Sequence, residues 1–436
     1  MPSPHHIVIV GGGAGGLELA TRAGDRYGRN ERAAVTLVDM NETHLWKPLL
    51  HEVAAGSMDI HAHQLDYLAQ ARWHHFNFYC GALESLDRAR HEITVAPTVD
   101  ERGAEVIPRR TLHYDTLVIA IGSVANTFGV PGVAEHSYAL ESAAEADRFH
   151  RRLINACIQA NYRSSYGIAR LRIVIVGAGA TGVELAAELH RSMRELAAFG
   201  LDRIDFDNSI KLTIVEAGPR ILPALPERLS EGATELLVGL GVAVRTATRV
   251  AAITAQGVEL ANGEFLAAEL VVWAAGIKAP DWLAGIAGIE TDRLNRLVVR
   301  PTLQTTRDDA IFALGDCASC TLPGTSAPVP PRAQAAHQQA ALLVRSMIAR
   351  LAGRPLPNFV YRDFGSLVSF GAYSAIGSLM GGLIGGSLRV EGLFARFMYR
   401  SLYKLHRLAL EGWWRVAFES AADLITHRIE PRIKLH

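Results

Sequence analysis

The stretch His6-Ile7-Val8-Ile9-Val10-Gly11-Gly12-Gly13-Ala14-Gly15-Gly16-Leu17-Glu18-Leu19-Ala20 decides the fold. An apolar β-type run ends in a glycine turn, and the turn opens a helical pattern, the order that dinucleotide-binding units share. Glycine is needed at Gly11 for the tight turn, at Gly13 for close approach of a pyrophosphate, and at Gly16 for packing helix on strand. The helix start offers unpaired N–H groups and a positive dipole end to phosphates. A second strand follows over residues 34–39 and closes on Asp39, 23 positions past Gly16. Asp39 is the candidate acceptor for a ribose hydroxyl.

The pattern returns in Ile173-Val174-Ile175-Val176-Gly177-Ala178-Gly179-Ala180-Thr181-Gly182, again followed by a helical run. Gly177, Gly179 and Gly182 take the three glycine roles, and Glu216, 34 positions beyond Gly182, takes the role of the acid. The longer spacing requires residues 191–208 to be a helix extension plus a loop. A carboxylate at this place repels a 2′-phosphate, which favours NADH, while nearby Arg220 keeps NADPH open. Two dinucleotide sites in one chain imply hydride movement between two dinucleotides.

The chain has 436 residues, 49% of them hydrophobic and 20% charged, enough for about three domains with large cores. Its formal net charge is zero, which argues against a nucleic-acid partner. Cys80, Cys157, Cys317 and Cys320 are too scattered for a disulfide framework and fit a reducing compartment. The first apolar run is too short before its glycines for a secretory leader, so the expected side is cytoplasmic. Residues 364–388 carry no charge but seven glycines, and read as a strand hairpin with a glycine-rich turn rather than a spanning helix. No metal is expected. Cys317 and Cys320 lack a second ligand pair, and the pairs His61/His63 and His74/His75 stand isolated.

Three more β runs end in small-residue turns: residues 114–122 close on Ala120-Ile121-Gly122, residues 270–276 on Trp273-Ala274-Ala275-Gly276, and residues 310–316 on Leu314-Gly315-Asp316. In this order with the two fingerprints, they resemble the two-dinucleotide-binding flavoprotein superfamily. The resemblance implies an α/β fold with two Rossmann-like dinucleotide-binding domains. A discontinuous FAD domain would comprise residues 1–130 and 297–345, an NADH domain residues 131–296, and a C-terminal strand hairpin with membrane-anchoring helices residues 346–436. FAD would lie on Gly11, Gly13, Gly16 and Asp39, near Ala120, Gly122 and Ala333, with Asp316 toward its ribityl or phosphate region. NADH would lie on Gly177, Gly179, Gly182 and Glu216, near Gly276.

Local features bear on the acceptor. No cysteine pair follows the Asp39 strand, which excludes a flavin-adjacent dithiol of the disulfide-reductase kind. Ala333-Gln334-Ala335-Ala336-His337-Gln338 is similar to the AQxAxQ motif of type II NADH:quinone oxidoreductases. Gln334 and Gln338 share one helix face and are expected to bracket a quinone ring. Leu45-Trp46-Lys47-Pro48-Leu49-Leu50 also resembles that family and implies Lys47 beside the flavin, stabilising charge on the reduced ring. Glu184, just after the second turn, is the candidate proton relay or nicotinamide guide, with a buried helix-start carboxylate as the other reading.

From Arg389 to Arg415, six Arg/Lys face two Glu. Arg396, Arg400, Lys404, Arg407, Glu411 and Arg415 form one helical stripe. Leu393, Phe397, Leu402, Leu405, Ala409 and Trp413 form another, widened by Phe394, Met398, Tyr403, Trp414 and Phe418. Such a helix suits the surface of an anionic bilayer. The resemblance extends over the whole chain, including its closing residues 428–436. It implies a non-proton-pumping respiratory NADH:quinone oxidoreductase, peripheral on the cytoplasmic face of the bacterial inner membrane, with a homodimer possible. The alternatives are a soluble NAD(P)H-dependent reductase of an electron-carrier protein, a sulfide:quinone reductase-like enzyme, and a nucleotide-sensing membrane module.

Overall fold

A computed structural model describes residues 4–100, 102–164, 171–198, 209–325, 327–370, 375–381, 386–391 and 401–418, without 402 and 405. Two five-stranded parallel sheets dominate. The first runs Ile311–Ala313, Thr116–Ile119, His5–Val10, Ala33–Asp39, Asn77–Cys80. The second runs Tyr138–Ala139, Leu270–Trp273, Leu171–Val176, Ile210–Val215, Ala243–Arg245. Their central strands read as unbroken apolar runs because helices cover both faces of a parallel sheet. Ile7, Ile9, Leu117, Ile119, Ile173 and Ile175 are accordingly fully buried.

Each glycine turn leaves its first strand at the sheet centre and opens a helix, α1 (Ala14–Ala23) in the first unit and α2 (Ala180–Ala198) in the second. The chain crosses from the first unit to the second and back through two short antiparallel strands, Val124–Ala125 and Ile277–Lys278. The return supplies the edge strand Ile311–Ala313 and then α3 (Ala333–Leu351), which packs along α1.

The segment after Asp39 ties the units together. Trp46, Leu49, Leu50 and Val53 are buried in the same apolar cluster as Phe149, Leu185 and Leu189 of the second unit. Lys47, inside this segment, is thereby set at the junction.

The described residues between 366 and 391 pair as a three-stranded antiparallel sheet, Ser366–Ser369, Ala375–Gly381 and Gly386–Glu391, one strand more than the expected hairpin and running beyond 388. Val368 and Phe370 sink into the second unit's core. Among the described residues no helix is long and apolar enough to cross a membrane.

The single amphipathic helix expected over 389–415 is corrected. Arg389 belongs to the last strand, and the helical residues 406–411 break at Gly412, whose φ is +76°, before residues 413–418 resume. Glycine takes that left-handed conformation at no steric cost. Leu393, Phe394, Arg396, Phe397, Met398, Arg400, Leu402, Leu405 and the closing residues 428–436 lie outside the described residues. The charged stripe is not uniformly solvated either. Arg407 and Glu411 pair at 2.7 Å with side chains only 15% and 4% exposed.

Replacing Phe370 by Ala removes a ring with no exposed surface and should cost about 3–5 kcal/mol, seen as a lower urea midpoint. Phe364→Ala, at a side chain 58% exposed, should stay within about 0.5 kcal/mol of the parent.

Candidate functional site

The two turns are superimposable in their bonding. Gly11 N donates to Val38 O and Gly177 N to Val215 O, each at 2.8 Å. Ala120 N donates to Val10 O and Ala274 N to Val176 O, each at 2.7 Å. Both leading glycines have φ +103°. A Cβ at Gly16 would stand 1.8 Å from Gly11 O, and one at Gly182 would stand 2.0 Å from Gly177 O. Only a bare α-carbon lets the helix start so close to the strand end. A Cβ at Gly13 or Gly179 would meet nothing within 4 Å. There a ligand can approach the backbone closely, and the first-turn N–H groups have no partner inside the helix. Each turn therefore fits a pyrophosphate.

The acids behave alike as well. Asp39 Oδ2 accepts from Gly12 N at 2.6 Å, and Glu216 Oε2 accepts from Ala178 N at 2.8 Å. The other oxygens take Asn41 N at 2.8 Å and Gly218 N at 2.7 Å. A carboxylate accepts about four hydrogen bonds, so each acid keeps lone pairs for a ribose. Arg220 spends its guanidinium on the carbonyls of Leu225 and Pro223, at 3.0 and 3.1 Å. It holds its own loop.

Between the turns, Asp316, Ser123, Gly122 and Lys47 meet. Ser123 Oγ donates to Asp316 Oδ2 at 2.9 Å, and Lys47 Nζ donates to Ser123 O at 3.2 Å. Burial pushes the Asp316 carboxyl above its ordinary value, with the Ser123 hydrogen bond and the Lys47 charge pulling the other way. Gly122 has φ +74° and Gly276 φ +65°. Ala333 opens α3 directly behind Arg332.

Gln334 and Gln338 reach the extended chain that precedes the C-terminal sheet. Gln334 Oε1 accepts from Phe364 N at 3.0 Å while its Nε2 donates to Gly365 O at 3.0 Å. Gln338 Oε1 accepts from Arg362 N at 2.9 Å and its Nε2 donates to Arg362 O at 2.8 Å. A side-chain amide matches a peptide group donor for acceptor, so the glutamines of the motif fasten residues 362–365 instead of projecting jointly toward a ring. Gln339, which the sequence reading passed over, is buried and accepts from Gly315 N at 2.7 Å, holding the turn that carries Asp316. Its place one residue after Gln338, about 100° further around the helix and so off the face shared by Gln334 and Gln338, was the available clue.

Glu184 is 6% exposed, accepts from Ser369 N at 3.0 Å, and lies 3.7 Å from His51 Nδ1. It fastens the first strand of the C-terminal sheet to α2. Cys317 and Cys320 are buried free thiols, pushed by burial to about 12 and about 11. Among the described residues no cluster of three or more His, Cys, Asp or Glu is arranged to hold a metal.

The sequence reading also missed a buried histidine chain. His44 Nδ1 lies 2.9 Å from Gly12 O, and its Nε2 lies 2.9 Å from His406 Nε2. Burial lowers His44 to about 4 and His406 to about 2. His51 is likewise lowered by burial, to about 4.

Residues 5–340 match the pyridine nucleotide-disulphide oxidoreductase family. The chain is 41% identical to a type II NADH:quinone oxidoreductase of Haemophilus influenzae, over 99% of this chain and 100% of that protein. It is 29% identical to the type II NADH:quinone oxidoreductase of Staphylococcus aureus, over 87% of this chain and 91% of the relative. Among solved structures, NDH2 of Plasmodium falciparum in complex with NADH aligns with a TM-score of 0.82 at 19% identity, covering 99% and 100% of the two chains.

Gly16→Ala should lower the thermal midpoint, at a cost of about 1–3 kcal/mol for the clash with Gly11 O. Gly13→Ala should leave the midpoint of the apoprotein unchanged and weaken dinucleotide binding at the first turn. Stability should also depend on acid. The unfolded histidines take protons near 6.5 and the folded His44 and His51 only near 4. Their contribution is complete above pH 6.5 and lost as pH falls through 4. Thermal midpoints between pH 7.5 and 4 should decline across that window, and less steeply in His44→Gln.

Proposed function

The chain belongs to the pyridine nucleotide-disulphide oxidoreductases and, within them, to the type II NADH:quinone oxidoreductases, and from that membership we propose how its residues divide the work. The enzyme oxidises NADH and reduces quinone through FAD, without proton pumping. The FAD domain is residues 1–123 and 279–345, returning earlier than the expected 297 because Ala279, Leu283 and Ile289 share the first unit's core; the NADH domain lies between the two crossing strands, and residues 346–436 are the part that meets quinone and membrane. The observation that carries this reading is the duplicated turn, with two pyrophosphate cradles and two ribose acids in one chain.

FAD, when bound, would supply the redox chemistry that links NADH oxidation to quinone reduction. The protein's task is to hold both dinucleotides, align their rings and keep water away. Gly13 and the first-turn amides of α1 take the FAD pyrophosphate, and Asp39 takes its ribose. Gly179 and the start of α2 take the NADH pyrophosphate, and Glu216 takes the ribose. Ala120, Gly122, Ala333 and Asp316 border the flavin side of the junction, and Gly276 the nicotinamide side. Lys47, hydrogen-bonded to Ser123 O, places positive charge at that junction to stabilise the reduced flavin. Glu184 sets the second turn against the C-terminal sheet and so steers the nicotinamide.

Gln334 and Gln338 shape the quinone site by fixing residues 362–365 against α3, and Gln338 retains one N–H for a quinone carbonyl. The C-terminal helix seats the enzyme on an anionic bilayer. Trp413, Trp414 and Phe418 are 57%, 64% and 75% exposed, and Arg415 stands beside them. Aromatic rings with adjacent basic groups suit the headgroup boundary. The face is the cytoplasmic one, where NADH is made available.

Purified protein should be yellow, bleach with NADH and recolour with a soluble quinone. Faster reoxidation by an electron-carrier protein than by quinone overturns the acceptor assignment. NADPH should be a poor donor, because Glu216 faces its 2′-phosphate and Arg220 is held by its own loop. Glu216→Gln should raise the NADPH to NADH ratio of kcat/KM by at least about tenfold. Trp413→Ala with Trp414→Ala should reduce co-sedimentation with vesicles containing anionic lipid and leave reduction of a water-soluble quinone intact.

A further inference from the structure

The peptide between Gly12 and Gly13 is held differently from its counterpart in the second unit. Ala178 O, the counterpart of Gly12 O, accepts from the backbone N of Leu222 at 2.8 Å. Gly12 O instead takes two side chains from outside the strand–turn–helix unit, Tyr67 Oη at 2.8 Å and His44 Nδ1 at 2.9 Å. Tyr67 lies so close over the turn that a Cβ at Gly12 would stand 2.3 Å from its hydroxyl. A trans peptide is planar, so fixing the Gly12 carbonyl fixes the Gly13 N–H on the opposite side. That N–H belongs to the residue whose Cβ direction is open.

The proton positions follow from the partners. A carbonyl only accepts, so His44 carries its proton on Nδ1 and offers a bare Nε2. His406, 2.9 Å away through its own Nε2, must then donate. This leaves His406 Nδ1 bare, in keeping with its burial without a hydrogen-bond partner among the described residues. His406 stands on the helical residues 406–411, stacked on Trp46 with ring centres 5.6 Å apart. Its other ring neighbour, His337 of α3 at 5.1 Å, is paired with Glu18 of α1, which also binds Arg22 at 2.8 Å.

We infer that His406, His44 and Tyr67 are positioning residues for FAD, which make retention of the cofactor depend on the seating of the C-terminal helix. The inference rests on the assignment of FAD to the first turn. His406 presents its N–H to His44, His44 passes that orientation to Gly12 O, and Tyr67 supplies the second donor. Withdrawal of the helix frees His44 to change tautomer or turn away, and the Gly13 N–H loses its aim. Among the described residues the second turn has backbone at this place, and its unit meets the C-terminal segment elsewhere, through Glu184 and Ser369.

Flavin release from the holoenzyme, followed by the fluorescence of free FAD, tests this. Tyr67→Phe keeps the ring over Gly12 and removes one donor. His406→Phe keeps a ring on Trp46 and removes the N–H. His406→Gln retains an N–H at nearly the place of Nε2. Tyr67→Phe and His406→Phe should raise the FAD dissociation constant by about fivefold to tenfold, the worth of one hydrogen bond. His406→Gln should return it to within about twofold, and the NADH dissociation constant should be unchanged in all three. Unchanged FAD release in both Phe variants overturns the inference, as does equal loss in His406→Phe and His406→Gln. Parent protein that binds no FAD overturns the assignment of the first turn itself.

Discussion

The structure depends on one close contact made twice, the start of a helix resting against the end of the strand that precedes it. With a Cβ at Gly16 or Gly182 the contact would be 1.8 or 2.0 Å, so the arrangement exists only because the side chain is missing. From it follow the first-turn amides that no helix partner satisfies, their alignment with the helix dipole and the place of the acid on the neighbouring strand. Asp39 and Glu216 lock the arrangement by accepting from the second residue of each turn, at 2.6 and 2.8 Å.

The C-terminal part is fastened to that frame by polar contacts at defined places. Gln334 and Gln338 hold residues 362–365 to α3, Glu184 holds Ser369 to α2, and His406 reaches His44 beside the first turn. Apolar burial of Val368 and Phe370 supplies adhesion, and these polar contacts supply position. Three of the residues that the sequence marks as chemically active thus act as fasteners. A buried or half-buried amide or carboxylate left unpaired would cost about 1–3 kcal/mol, which is why each finds a backbone partner.

The division of the site is asymmetric. The second turn is closed by backbone, with Leu222 N on Ala178 O, while the first is closed by Tyr67 and His44. At the second turn the carbonyl of Ala178 is held by backbone, and α2 is tied to the C-terminal sheet through Glu184. At the first turn the carbonyl of Gly12 is tied to distant parts of the molecule, through Tyr67 and through His44 to His406.

The strands, glycine turns and acids were legible because their causes are local: period, missing side chains and short spacing act within about 30 residues. The C-terminal hairpin was legible from its glycines. The partners of Gln334, Gln338, Glu184 and His406 were not, because hydrogen bonds between residues 24 to 362 positions apart leave no spacing to read. The break at Gly412 was hidden for a related reason, since a helical stripe continues in projection whether or not a left-handed residue interrupts it. Sequence by itself determined that two dinucleotide units would form. Tertiary structure decided which polar side chains face a ligand and which hold the frame, because a buried group takes the nearest partner that the packed chain presents.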